Sequence, residues 1–113
     1  MENRKINSMV TGLGAVVPDK ILTNQELAEM VDTSDEWIRT RTGIKERHIA
    51  EDGKATSDYA ADAARLALDQ ANLPAEELDM IIFGTVTPDM YFPSAACFLQ
   101  EKNSFWKGAR RPN

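Results

Sequence analysis

Residues 57–71, SDYAADAARLALDQA, followed after a short acidic turn by residues 79–87, DMIIFGTVT, decide the fold class. In the first stretch Ala60, Ala63, Ala64, Ala67, Leu68 and Ala71 recur at helical spacing behind a Ser or Thr cap, which predicts an amphipathic helix. Alanines on its buried face let a neighbouring backbone lie close. Asn72-Leu73-Pro74 ends the helix, and Met80 to Val86 reads as a strand apolar on both faces, as in a sheet covered on both sides. Pro93 then stands at the first position of another Ala-rich helix, PSAACFLQEK.

Upstream, residues 6–17, INSMVTGLGAVV, are apolar and β-branched around Gly12-Leu13-Gly14, which predicts a strand interrupted by a tight bend or a close backbone approach. A dinucleotide fingerprint would need glycine where Val17 stands and a helix where Pro18 stands, so a Rossmann site is not expected. Thr23-Asn24-Gln25-Glu26 and Thr33-Ser34-Asp35-Glu36 both fit the capping box, predicting short helices from Asn24 and Ser34. The first should bury Leu27, Met30 and Val31. The second carries Trp37, Ile38 and Arg41 and stops at Gly43. Residues 44–50 are expected to be extended and Glu51-Asp52-Gly53-Lys54 a turn. Strand, small helices, long helix, buried strand and helix make an α/β layered arrangement that expects a further strand.

With 113 residues, 42% of them hydrophobic, the chain has material for one ordinary domain or part of one. Its longest apolar run, Met80 to Phe83, is far below the roughly 20 residues of a membrane span, and the start lacks the apolar core of a secretory signal. A cytoplasmic protein with no membrane partner is expected. One cysteine, Cys97, and one histidine, His48, leave no basis for a disulfide or a metal site, so no metal is expected. The net charge is −5, and the last twelve residues carry four bases and no acid, leaving −9 to residues 1–101. Such an acidic body argues against nucleic acid as a partner.

Residues 33–50, TSDEWIRTRTGIKERHIA, set an aromatic ring among acids and four basic side chains. The bland reading is a half-buried Trp37 with Arg41 stacked on it.

Together with SDYAADAARLAL, DMIIFGTVTPD and FPSAACFLQ, this stretch resembles the N-terminal part of β-ketoacyl-acyl-carrier-protein synthase III, over about residues 6–102. The resemblance implies an incomplete N-terminal half of a thiolase-like layered αβαβα fold. It also implies an acyltransferase that condenses acyl-CoA, typically acetyl-CoA, with malonyl-acyl-carrier protein to initiate fatty-acid synthesis, usually as a homodimer. Acyl-CoA is there a substrate, and no cofactor is permanently bound. By the same resemblance Thr33, Trp37 and Arg41 border the coenzyme A entrance, Trp37 stacking with adenine and Arg41 lying near its phosphates. Phe92 matches an aromatic that helps close the acyl pocket of the partner subunit, or else is an anchor packed beside Pro93 at a helix start. The family's nucleophilic Cys and its His and Asn match nothing here. Cys97 falls in the preceding helix and reads as a small core residue, and His48 as a structural or surface histidine.

Residues 1–102 are therefore expected to form a partial thiolase-like subdomain. Residues 103–113, where the resemblance stops and the charge turns basic, are expected to be a divergent tail outside the fold, as a shifted reading frame would give. The chain alone is expected to be inactive. Two other readings stand beside this one: a small coenzyme A-binding or complementing module, and an unrelated α/β interaction domain.

Overall fold

The computed structural model describes residues 7–103. Of the expected tail all but Asn103 lies outside the described residues. The described residues form two compact units, one from Val17 to Ala55 and the other from residues 7–16 and 56–103.

In the Val17–Ala55 unit, strand β1 (Lys20–Thr23) runs directly into helix α1 (Asn24–Met30), helix α2 (Asp35–Thr42) follows, and strand β2 (Glu46–Ile49) returns antiparallel to β1. The register sets Lys20 opposite Ile49 and Thr23 opposite Glu46. The Thr23 capping box forms as expected: the Glu26 amide donates to Thr23 Oγ1 at 3.2 Å and the Thr23 amide to Glu26 Oε2 at 2.8 Å. These Thr23 donors, backbone first, hold the Glu26 carboxyl below its usual value. At α2 the cap is Ser34, not Thr33, so the helix starts at Asp35, one residue later than expected. Gly43 ends it with a φ of 73°, the left-handed conformation that glycine adopts without a Cβ clash. Ile38 is buried, Leu27 partly so, while Met30 and Val31 are exposed, against the expectation that α1 buries all three of its apolar residues. Seven residues make only two turns, and both exposed residues stand at its C-terminal end.

The other unit is organised by helix α3 (Thr56–Ala71) and helix α4 (Ala95–Lys102). Ala61 and Leu99 form its buried centre, with Leu68, Ile81 and Phe83 packed against them. Asn72, at φ 51°, closes α3: its amide donates to the Asp69 carbonyl at 3.1 Å and that of Leu73 to Leu68 at 3.0 Å, a Schellman pattern. The N-terminus of α3 is satisfied from a distance. Asp89 accepts from the Ser57 amide at 2.9 Å and from its hydroxyl at 2.5 Å, while Thr56 donates to the Thr87 carbonyl at 2.6 Å. Lys102, at the end of α4, pairs with Asp58 in the first turn of α3.

Neither strand expected in this unit is hydrogen-bonded into a ladder among the described residues. In residues 80–86 the burial alternates, Ile81 and Phe83 facing the core while Met80, Ile82 and Val86 are exposed, so one face is covered instead of two. A strand exists only with a partner, and here none is described. Residues 7–17 bear out the close approach. A Cβ on Gly12 would stand 2.1 Å from the Ala67 carbonyl oxygen and one on Gly14 2.0 Å from that of Ala63. The glycines and the alanines of α3 thus serve one purpose, bringing two backbones together, and the Leu13 amide donates to Gln70 Oε1 at 2.6 Å across the contact. Pro93 precedes the Ser94 cap of α4, two places before the first helical residue, instead of opening the helix.

Candidate functional site

Helix α2 presents Trp37 and Arg41 on one face. The Arg41 guanidinium carbon lies 4.7 Å from the centre of the indole ring, and Trp37 is 54% exposed despite that contact. Such a stack contributes about 0.5–1 kcal/mol at an exposed site. Arg41 is exposed and makes no ion pair among the described residues. Beside the indole a depression of about 440 Å³ is lined by Asp32, Thr33, Ser34 and Trp37. Thr33 and Trp37 are therefore brought together, and Arg41 joins them through the ring.

The cap ties the site to the sequence. Ser34 Oγ accepts from the backbone amide of Trp37 itself at 3.1 Å, fixing where the indole leaves the helix. A second groove on α2, about 490 Å³, is lined by Glu36, Arg39, Thr40, Gly43 and Lys45. Arg39 there pairs with Asp35 at 3.3 Å, an exposed i,i+4 contact of small energetic weight.

Underneath lies a polar cluster that the sequence did not single out. Asn24 is only 1% exposed. Its Nδ2 donates to Asp35 Oδ1 at 2.9 Å and to the Ile44 carbonyl at 2.8 Å, and its Oδ1 accepts from Arg47 Nη2 at 2.5 Å. Arg47 Nη1 also donates to the Leu22 carbonyl at 3.2 Å. The Asn24 amide, with smaller help from Arg39, holds the Asp35 carboxyl below its ordinary value. Nothing local marks Asn24, since an Asn after a capping Thr reads as any first-turn residue.

The remaining candidates fall elsewhere. Phe92 belongs to the other unit, is 86% exposed and precedes Pro93 through a cis peptide bond. Cys97 is a correction: it is exposed, not a core residue, because α4 turns Ala95 and Leu99 inward and leaves position 97 on the opposite side. His48 Nδ1 lies 2.6 Å from the Pro18 carbonyl oxygen, a structural contact in line with its expected role. Among the described residues no cluster of His, Cys, Asp or Glu could hold a metal ion, and no helix is long and apolar enough to cross a membrane.

Comparison with known proteins points one way. The chain is 62% identical over 96 residues to beta-ketoacyl-[acyl-carrier-protein] synthase III of Caldanaerobacter subterraneus subsp. tengcongensis, covering 85% of this chain and 29% of that protein. The synthase III of Xylella fastidiosa is 54% identical over 100 residues, 88% of this chain and 31% of that one. The crystal structure of 3-oxoacyl-[acyl-carrier-protein] synthase III from Aquifex aeolicus VF5 superimposes with a TM-score of 0.78 at 49% identity, over 86% of this chain and 31% of the other. The chain thus spans about 30% of the length of the relatives it matches. No family model matches it.

Proposed function

The chain has the sequence and the α/β, thiolase-like fold of the N-terminal part of a β-ketoacyl-[acyl-carrier-protein] synthase III, and on that premise we propose that it supplies the coenzyme A lip of such an acyltransferase. The reaction is the decarboxylative condensation of acyl-CoA with malonyl-acyl-carrier protein at the start of fatty-acid synthesis. It takes place in the cytoplasm, on a homodimer without a permanently bound cofactor. Trp37 offers its ring to the adenine, Arg41 its guanidinium to the phosphates, and Thr33 its hydroxyl to the base or ribose. Phe92 belongs to the acyl pocket across the dimer.

The observation that carries this reading is the Trp37–Arg41 pair beside an open depression, with the indole half exposed and the guanidinium in no ion pair among the described residues. A single aromatic stack on a base gives about 1–3 kcal/mol. A charge-assisted contact to phosphate adds roughly 1.5–3 kcal/mol. Their sum, about 2.5–6 kcal/mol, brackets the −4.1 kcal/mol of a millimolar complex. The lip by itself is therefore a weak, millimolar site.

Chemistry is not assigned to the chain alone. Its single cysteine and single histidine, Cys97 and His48, match neither the nucleophile nor the donor that the condensation requires. Titration of the full chain with acetyl-CoA by ligand-observed NMR tests the proposal. Saturation-transfer signal on the adenine protons that Trp37→Ala removes and Arg41→Ala weakens is the expected result; an undiminished signal in Trp37→Ala overturns it. Acyl transfer by the chain that depends on Cys97 would overturn the account of the chemistry.

A further inference from the structure

We propose that Asn24, braced by Arg47, is a positioning residue for the lip: it grips both ends of α2 and so sets how Trp37 and Arg41 are presented. The inference rests on the reading of that pair as a nucleotide contact.

One amide reaches both ends of a single helix. Asn24 Nδ2 binds Asp35 in the first turn of α2 and the Ile44 carbonyl just beyond the Gly43 stop, at 2.9 and 2.8 Å. Its backbone amide adds a bond to the Lys45 carbonyl at 3.2 Å. The orientation of the amide is in turn fixed by Arg47, whose Nη2 takes Asn24 Oδ1 while Nη1 holds the Leu22 and Thr23 carbonyls of β1 and its end. Every polar atom of the Asn24 side chain is thus used, on a residue 1% exposed. An eight-residue helix with one buried apolar side chain has little packing to define its rotation. Hydrogen bonds at its two ends supply that definition. Since Trp37 stands two residues after Asp35 and Arg41 three residues before Ile44, any slack at these anchors passes to the stacked pair.

Asn24→Asp is the informative change, because it preserves shape and the Arg47 contact but turns an oxygen toward the Asp35 carboxylate and the Ile44 carbonyl. The parent is the full chain carrying Trp106→Phe, in which Trp37 is the remaining tryptophan. Thr23→Ala serves as control, removing the α1 capping box while leaving the Asn24 bonds in place. Time-resolved anisotropy of Trp37 and the Kd for coenzyme A are measured well below each melting temperature. The expected result for Asn24→Asp is a larger fast-motion amplitude for Trp37 and a Kd weakened roughly threefold to thirtyfold. Thr23→Ala, at an equal or larger fall in melting temperature, should change both little. Equal effects of the two variants overturn the proposal, since destabilisation alone would explain them. If Asn24→Asp does not fold, Arg47→Lys, which keeps the charge but loses the fork, takes its place with the same two readouts. A parent that binds no coenzyme A at millimolar concentration refutes the nucleotide reading, while the Trp37 anisotropy still decides the positioning role.

Discussion

Removing the Asp89 carboxylate should weaken the α3 unit by several kcal/mol, about as much as truncating a buried leucine. Ser57 is fully buried, and both its amide and its hydroxyl are satisfied by Asp89, at 2.9 and 2.5 Å. Asp89→Ala leaves two buried donors without partners at about 1–3 kcal/mol each. It also removes a negative charge from a helix N-terminus, about 0.3–1 kcal/mol. A loss of about 2–7 kcal/mol follows, a large part of the 5–15 kcal/mol typical of a whole domain. Asp89→Asn keeps one oxygen for the Ser57 amide and offers an NH₂ to the hydroxyl oxygen, so it should lose only about 1–2 kcal/mol. Urea unfolding followed at 222 nm on the wild type and both variants measures the difference. The double variant Ser57→Ala with Asp89→Ala should be no less stable than Asp89→Ala alone, because one orphaned group is gone. Equal losses for Ala and Asn, or a loss within 0.5 kcal/mol for Ala, would refute the cap reasoning.

Gly14→Ala should destabilise by about 1–3 kcal/mol, the usual range for overpacking, because the obstacle is the Ala63 carbonyl oxygen of a helix backbone that cannot swing away; thermal unfolding checks this, and an unchanged Tm would contradict the contact. Lowering the pH should weaken the Val17–Ala55 unit. Glu26 and Asp35 have carboxyls held below their unperturbed values of 4.5 and 3.8, so their contribution is complete above those values and is lost as pH falls through the lower, folded ones. Hairpin and helix NMR shifts followed from pH 6 to 2.5 should show this, and Glu26→Gln should remove its share of the dependence. Exposed Cys97 should react with Ellman's reagent in the native chain about as fast as it does in the urea-unfolded chain; protection until urea is added would return it to the core.

What the sequence disclosed divides along a physical line between local and distant partners. The Thr23 capping box, the Gly43 stop and the Asn72-Leu73-Pro74 ending are made by residues within five positions of one another, so their signals lie in the string. The shift from Thr33 to Ser34 as cap arises because two hydroxyls stand side by side and only the helix phase chooses. The glycines of residues 12–14 and the alanines of α3 were each legible as close-approach residues, although only the fold shows that they approach each other. Strands were the weakest point. Residues 80–86 have a strand's composition and its alternation, yet pairing depends on a partner that composition does not name, whereas KILT, too short to alternate clearly, pairs with β2.

The same line runs through the site. Trp37 and Arg41 could be read as a pair because a helix fixes i and i+4 on one side. The residues that hold that helix could not be, because Asn24 meets Asp35, Ile44 and Arg47 across 11, 20 and 23 positions. Asp89 likewise follows Pro88 as an ordinary turn residue would, and only the fold brings its carboxylate to a buried serine 32 positions away. At the proposed lip the exposed groups, Trp37 and Arg41, are spelled out in contiguous sequence, while those that hold their helix are assembled from elsewhere in the same unit. A substitution in the contiguous motif should therefore act on affinity first. One in the distant support should act on order and stability, and reach affinity only through them.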